Sequence, residues 1–313
     1  MSITDRSGQN PELNGAHRFT RFNPSIGLSF NPSSALTVYA GYNEGMRAPT
    51  AIELTCADPN APCKLPNNFI ADPPLKKVVS RTFEVGARGL ADTATSWNAA
   101  VFRTDLSDDL QFVSSNGVAL NAGYFQNVGR TRRQGLELGG STRLGPAELT
   151  LHYSFTDASF RTGFIENSPN HSNADATGAI VVKRGDRLPS IPRHGLKLRT
   201  ELNPTTPWHI AANLQVASSV YARGDENNLD ANGRVPGYAL VNLDTRYQLD
   251  RHLLLFARVD NLLDRRHANF GVLGRNVFTA PNQGFDPAQA RPEQFRGNGS
   301  PRGAWVGIQY SFE

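Results

Sequence analysis

No stretch of the sequence approaches the roughly 18 uninterrupted apolar residues of a membrane helix, and its mean hydropathy is negative. Both argue against a helical membrane protein. A spanning β-strand, however, needs only about 9–11 residues with every second one apolar, so a membrane barrel stays open. The opening Met1-Ser2-Ile3-Thr4-Asp5-Arg6 lacks the basic and then apolar stretch of a secretory signal; the expectation is either a cytoplasmic protein or a chain whose front end is missing. Basic runs are lacking too. The 32 Lys and Arg are scattered among 28 Asp and Glu, which argues against nucleic acid as a partner despite a pI near 9.2. In an outer-membrane setting such charges face lipopolysaccharide phosphates or an anionic ligand. Cysteine is scarce: Cys56 and Cys63 bracket a Pro/Asn/Asp-rich segment, which suits a loop disulfide in an oxidising compartment better than two free thiols or a metal pair. No Gly-x-Ser-x-Gly, Walker loop, zinc spacing or dinucleotide fingerprint occurs. His152 and Ser154 share a strand face but lack the third, orienting group of a triad, and the seven histidines are scattered singly. The expectation is a protein that is not an enzyme, with no catalytic residues, no metal site and no cofactor.

What is present is alternation. Ala147, Leu149, Leu151, Tyr153 and Phe155 share one face, and Glu148, Thr150, His152, Ser154 and Thr156 the other, a period of two. Leu196, Leu198, Thr200 and Leu202 alternate in the same way with Lys197, Arg199 and Glu201, and Trp208, Ile210, Ala212, Leu214 and Val216 with His209, Ala211, Asn213 and Gln215. The stretch 252–261 is apolar on both faces, a weaker case. At the end, Ala304, Val306, Ile308, Tyr310 and Phe312 oppose Trp305, Gly307, Gln309 and Ser311. In a soluble protein the apolar face would cover a core, whereas in a membrane barrel it meets lipid and the polar face lines the lumen.

The connections decide between these. Asn31-Pro32-Ser33-Ser34, 91–95, Gly145-Pro146, 203–207 and Asp250-Arg251 are tight turns, while 49–78, 113–122, 160–190, 223–235 and 264–300 are mostly long and polar. Short turns on one rim and long loops on the other mark an outer-membrane barrel with its short turns periplasmic. Eleven strands are predicted, at 18–30, 35–48, 79–90, 95–112, 122–144, 147–159, 191–203, 208–222, 235–248, 252–262 and 302–312. If the last strand descends to the periplasm, the first must descend as well. An ascending partner is then missing before it, and the chain reads as the back half of a larger barrel.

Six segments in order resemble the TonB-dependent outer-membrane receptors. Gly45-Met46-Arg47-Ala48-Pro49-Thr50-Ala51-Ile52-Glu53-Leu54 is similar to the family's "gfRaPt..EL" segment, and Arg81-Thr82-Phe83-Glu84-Val85-Gly86-Ala87-Arg88-Gly89 to its "t.E.G.r" strand. Asn127-Val128-Gly129 with Gly135-Leu136-Glu137-Leu138 resembles "N.g....GvEl", and Pro189-Ser190-Ile191-Pro192-Arg193-His194 a loop-to-strand entry. Val259-Asp260-Asn261-Leu262-Leu263-Asp264 resembles "v.NLfD", and the end resembles the terminal β-signal, except that Glu313 follows the aromatic.

The resemblance implies an all-β, antiparallel transmembrane β-barrel, partial here: about eleven of an approximately 22-stranded barrel, with residues 1–313 its C-terminal part and no plug domain or signal peptide. It further implies TonB-dependent uptake of a ligand such as a ferric siderophore or vitamin B12; a passive porin-type channel is the alternative. Implied ligand contacts are Arg47, Arg88, Tyr124, Arg130, Arg132 and Arg133, although these charges also suit lumen-wall pairs with Glu84 or Glu137. Implied partners are outer-membrane lipid and lipopolysaccharide, an iron chelate or similar small ligand, and the barrel-assembly machinery through Ala304, Val306, Ile308, Tyr310 and Phe312. The TonB complex is expected to act only through the missing N-terminal part. The oxygen-rich stretch Asp225 to Gly233 lacks the spacing and closing Glu of an EF-hand and reads as a solvated loop.

Overall fold

Alternating side chains on long strands joined by tight turns can satisfy every backbone group only by pairing each strand with its chain neighbour, and the chain does so. The computed structural model describes residues 2–8, 11, 14–56, 75–114 and 123–312. Eleven antiparallel strands form one continuous sheet: β1 (Ser25–Ser33), β2 (Leu36–Arg47), β3 (Val78–Leu90), β4 (Thr95–Ser107), β5 (Thr131–Leu144), β6 (Ala147–Phe160), β7 (His194–Thr205), β8 (Trp208–Ala217), β9 (Tyr238–Gln248), β10 (Leu253–Asp260) and β11 (Gly303–Tyr310). The order across the sheet is the order along the chain. Among the described residues β1 and β11 do not pair with each other, so the sheet is not closed.

Period two sorts the sheet's faces. Thr150 and His152 of β6, Lys197 and Arg199 of β7, and Asn213 of β8 with Asp244 of β9 line a concave trough of about 690 Å³. There Arg199 Nη1 donates to Asn213 Oδ1 (3.0 Å) and Asp244 Oδ2 (3.2 Å). The convex face carries Leu28, Phe83, Val85, Val101 and Leu151, and on the edge strand Val306 is 86% and Ile308 70% exposed. The two buried apolar clusters among the described residues lie elsewhere: one gathers Val128, Ala158, Phe160, Ile180, Val182 and Leu188, the other Val220, Ala222, Val235 and Leu273, and all but Ala158 and Phe160, at the top of β6, lie in the long connections. The sheet's apolar side thus covers no protein core. An apolar surface that broad is stable only against lipid.

Two long predicted strands break. The stretches 95–112 and 122–144 end their shared pairing at Leu106 opposite Thr131, and the remainders Leu110–Ser114 and Gly123–Asn127 form a separate hairpin. The cause is local backbone: Asp108 (φ 54°) and Gly129 (φ 84°) stand in left-handed conformations on either side of the break. Asp109 N–H then donates to the Gly129 carbonyl, and buried Asp109 accepts from Thr131 Oγ1 at 2.7 Å. One glycine in the wall has a packing role, because a Cβ on Gly86 would sit 2.5 Å from the Tyr39 ring on the neighbouring strand.

Candidate ligand site in the upper lumen

The long connections fold into one another above the trough. The β6–β7 connection carries a hairpin, Phe164–Asn167 with Ala179–Val182, whose apolar side packs on Ala158 and Phe160 at the top of β6. The β10–β11 connection carries another, Ala268–Asn276 with Arg291–Asn298, and Leu273 packs on Val220 and Val235 from the β8–β9 connection. Backbone bonds lock them: Arg223 N–H donates to the Gly271 carbonyl (2.9 Å) and Leu273 N–H to the Arg223 carbonyl (2.8 Å). Arg187 N–H reaches Asn228 Oδ1 at 2.7 Å, and Ala231 N–H reaches Ser172 Oγ at 2.7 Å.

Where these loops meet the wall they leave a pocket of about 560 Å³ lined by Gln111, Arg133, Ser190, Arg223, Glu226 and Phe270, among others. Arg133 projects from β5 toward Asp109 (3.5 Å), and Arg223 has no ion pair among the described residues. Ser190 is held at φ 61°, and its Oγ is buried without a hydrogen-bond partner. Two guanidinium groups, an unsatisfied hydroxyl and an aromatic ring suit an anionic ligand with aromatic or apolar parts.

Of the six side chains expected from the sequence, Arg133 alone lines this pocket. Arg47 is bound bidentately by Glu53 (2.7 and 3.1 Å), which also caps the single turn α1 (Ala51–Leu54) through Thr50. Burial opposes ionisation of Glu53, but the hydrogen bonds from Arg47 and Thr50 prevail and hold its carboxyl below the usual range. Arg88 lies low on the lumen wall, opposite Thr37. Arg130 is exposed on the rim. Arg132 points to the convex side, with Nε 2.6 Å from Asp105 Oδ1. Tyr124 sits in the 123–127 hairpin, where burial and then the charge of Glu166 push its phenol up. Cys56 is disulfide-bonded and buried beside that hairpin, its carbonyl accepting from Phe125 N–H at 2.6 Å, and Cys63 lies outside the described residues. Arg223, Ser190 and Phe270 were not expected from the sequence, since nothing local brings residues so far apart in the chain together.

The stretch Asp225 to Gly233 is not a solvated loop. Asp225 is 1% exposed. Its Oδ1 accepts from Asp230 N–H (3.0 Å) and faces His171 Nε2 (3.2 Å), while Asp230 accepts from Ser172 N–H (2.9 Å), so the carboxylates anchor one loop to the next. Burial works against Asp230, yet bonds from Ser172 and Asn232 hold its carboxyl low. No group of metal-ligating side chains occurs among the described residues.

Beside this anchor lie Glu166 and Glu226, each buried and each with an unpartnered Oε2. Burial, then the Glu226 charge, pushes Glu166 well above the usual carboxylate range, and burial pushes Glu226 up to about 7. A carboxyl whose folded pKa exceeds its unfolded value near 4.5 binds more protons folded than unfolded between the two, so its contribution to stability falls as pH rises through that window. The loop assembly should therefore tighten as pH drops from about 7.5 toward 5. Amide hydrogen exchange over 164–182 and 220–235 should slow accordingly. Glu166→Gln with Glu226→Gln should flatten the dependence; an undiminished slope in that double variant would refute the assignment.

An eleven-stranded antiparallel sheet with a lipid-facing side, a charged lumen and long interlocked outer loops defines the wall of an outer-membrane β-barrel. The family described as "TonB dependent receptor-like, beta-barrel" matches residues 2–262. The chain belongs to that family, whose members are transport receptors and not enzymes. It is 23% identical over 243 residues to a probable TonB-dependent siderophore receptor, PiuA, of Acinetobacter baumannii, a match covering 77% of this chain and 30% of the relative. It is 25% identical over 252 residues to a probable TonB-dependent receptor, BfrD, of Bordetella pertussis, covering 79% of this chain and 30% of that one. The crystal structure of PiuA superposes on 91% of the chain with a TM-score of 0.62, 19% identity and 35% of its own length. The chain thus spans about a third of the length of the relatives it matches.

Proposed function

We propose that this chain is the C-terminal part of the barrel wall of a receptor that takes up a ferric siderophore, residues 1–313 belonging to one barrel domain whose plug and signal peptide lie in a longer protein. In this reading Arg133 and Arg223, with Gln111, Ser190 and Phe270, engage the anionic chelate from the outer side. Tyr124 stands behind them, and a Cys56–Cys63 disulfide braces the loop preceding β3. The TonB complex acts through the remainder of the protein. Ala304, Val306, Ile308, Tyr310 and Phe312 form the strand read by the barrel-assembly machinery, and the convex face is immersed in lipid and lipopolysaccharide.

The observation that carries the reading is the cationic pocket formed between interlocked loops at the outer end of a polar lumen. A passive porin-type channel has no need of loops tied to one another across the lumen mouth. The name of PiuA speaks of a siderophore, which supports an iron chelate over vitamin B12. The test is equilibrium binding of ferric catecholate and ferric hydroxamate chelates to the complete barrel, followed by fluorescence quenching. Arg133→Ala with Arg223→Ala should weaken the preferred chelate by about tenfold or more, the loss expected for two charge-assisted contacts. Lys197→Ala, in the trough below, should change affinity little. Unchanged binding in the double variant would remove the pocket from the mechanism.

A further inference from the structure

Alternation continues into the long connections. In the β6–β7 hairpin it turns Ile165 and Val181 outward and Glu166 and Ile180 inward, so a carboxyl group is buried on the side of the hairpin that packs on Phe160. Across from it, Gly224 of the β8–β9 connection is held at φ 92°, where a Cβ would come within 3.1 Å of Ser168 Oγ and 3.0 Å of Leu273. That close approach lets Ser168 Oγ donate to the Gly224 carbonyl (2.7 Å), while Gly224 N–H donates to Glu226 Oε1 (3.1 Å). Two carboxyl groups from separate connections thereby meet at hydrogen-bonding range, and each keeps a buried Oε2 with no partner. Both feel the charge of Arg223, which forms an ion pair with neither among the described residues. Two buried carboxylates at that range cannot both stay charged, and one proton between them satisfies the orphaned oxygens.

Glu226 is also the one acidic residue among the described residues that line the ligand pocket. Its own connection brings Arg223 and Asp225 to face it. From other elements, β5 brings Arg133, itself 3.5 Å from Asp109, and the 123–127 hairpin brings the Tyr124 phenol, which feels Glu166. The β10–β11 hairpin contributes Phe270 and Val272, which carry no charge. His171, a side chain of the kind that titrates near neutrality, has both ring nitrogens engaged, Nδ1 by Asn173 N–H (2.9 Å) and Nε2 by Asp225 (3.2 Å). A polyanion entering beside Arg133 and Arg223 therefore meets one like charge in the pocket lining, and a proton can remove it.

We propose that the Glu166–Glu226 pair couples capture of an anionic chelate to uptake of a proton, so that the pocket holds its cargo more tightly in acid. The coupling rests on the reading of this pocket as the chelate site. The proton comes from bulk water, adds to one carboxylate oxygen and is shared with the facing carboxyl; no bond to the cargo forms or breaks. It removes the charge that competes with the chelate for Arg223. It also closes a hydrogen bond between the β6–β7 hairpin and the β8–β9 connection, so cargo and proton each strengthen the hold on the other.

The test is calorimetric titration of the complete barrel in detergent with a ferric tris-catecholate at neutral pH, in two buffers of different ionisation enthalpy, which counts protons taken up per chelate bound. The unaltered barrel should take up a substantial fraction of one proton. Its Kd should fall about fivefold from about pH 8 to about pH 6, the linkage of one carboxyl whose proton affinity rises about tenfold on binding. Glu166→Gln with Glu226→Gln should remove both effects, and because the same chelate is used, any proton it takes up itself cancels in the comparison. A pair with a purely structural role would change Kd alike at every pH. Should the double variant fail to assemble, Glu226→Gln alone should lose at least about half of the proton uptake. Undiminished uptake in an assembled variant, or none in the unaltered barrel, overturns the coupling and leaves the pocket in place. A Kd that responds to calcium ion and not to acid also overturns it, assigning the pair to a cation. A barrel that binds no chelate at any pH overturns pocket and coupling together.

Discussion

Leu151→Arg in the assembled barrel should destabilise by about 2–4 kcal/mol, and Ser154→Arg by much less. Leu151 lies on the convex face of β6, between Gly140 of β5 and Leu198 of β7, near the middle of the apolar band. A guanidinium there must cross hydrocarbon to reach a headgroup. Ser154 is three residues along and of opposite parity, on the lumen wall with His152 and Glu137, where a long cation meets water and carboxylates. Urea unfolding in liposomes compares the two directly. Equal costs would invert or abolish the assignment of faces for the whole sheet, because register propagates it from strand to strand.

The second large effect concerns the edges. Expressed alone behind a signal peptide, the chain should accumulate as aggregated or protease-sensitive material without ligand uptake. Strands β1 and β11 each offer one unpaired row of backbone groups among the described residues, and in lipid every such group costs energy that closed barrels avoid. Curling eleven strands to join the edges is no remedy, since strand number and shear are linked and forced closure would misplace lumen and lipid faces. Recovery of a heat-modifiable, protease-resistant barrel with saturable chelate binding would contradict this and the proposed function with it.

The strands were legible because their signal is local. Alternation from Ala147 to Phe155 needs no knowledge of the rest of the chain, and the tight turns at 145–146 and 250–251 fix where neighbours meet. The kink at Asp108 and Gly129 was not legible, because the residues flanking it keep alternating and only the backbone angles turn the chain inward. The candidate site was legible in part. Arg130, Arg132 and Arg133 look like one cluster in the sequence, yet a strand sends adjacent residues to opposite faces, so Arg133 enters the lumen and Arg132 the lipid side. The pocket's other half depends on Arg223 meeting Gly271 and on Arg187 meeting Asn228, contacts between separate loops that no local pattern encodes.

Because every strand pairs with the one before it, the wall and the loops answer to different constraints. The entropy of closing a loop grows only with the logarithm of its length, so residues can be added to the connections above β4, β6, β8 and β10 at small cost to the sheet below. Those same connections build the pocket. On the proposed function, a different ligand can therefore be accommodated by lengthening or rewriting the outer loops, while the strands are held to the alternation that lipid and lumen permit.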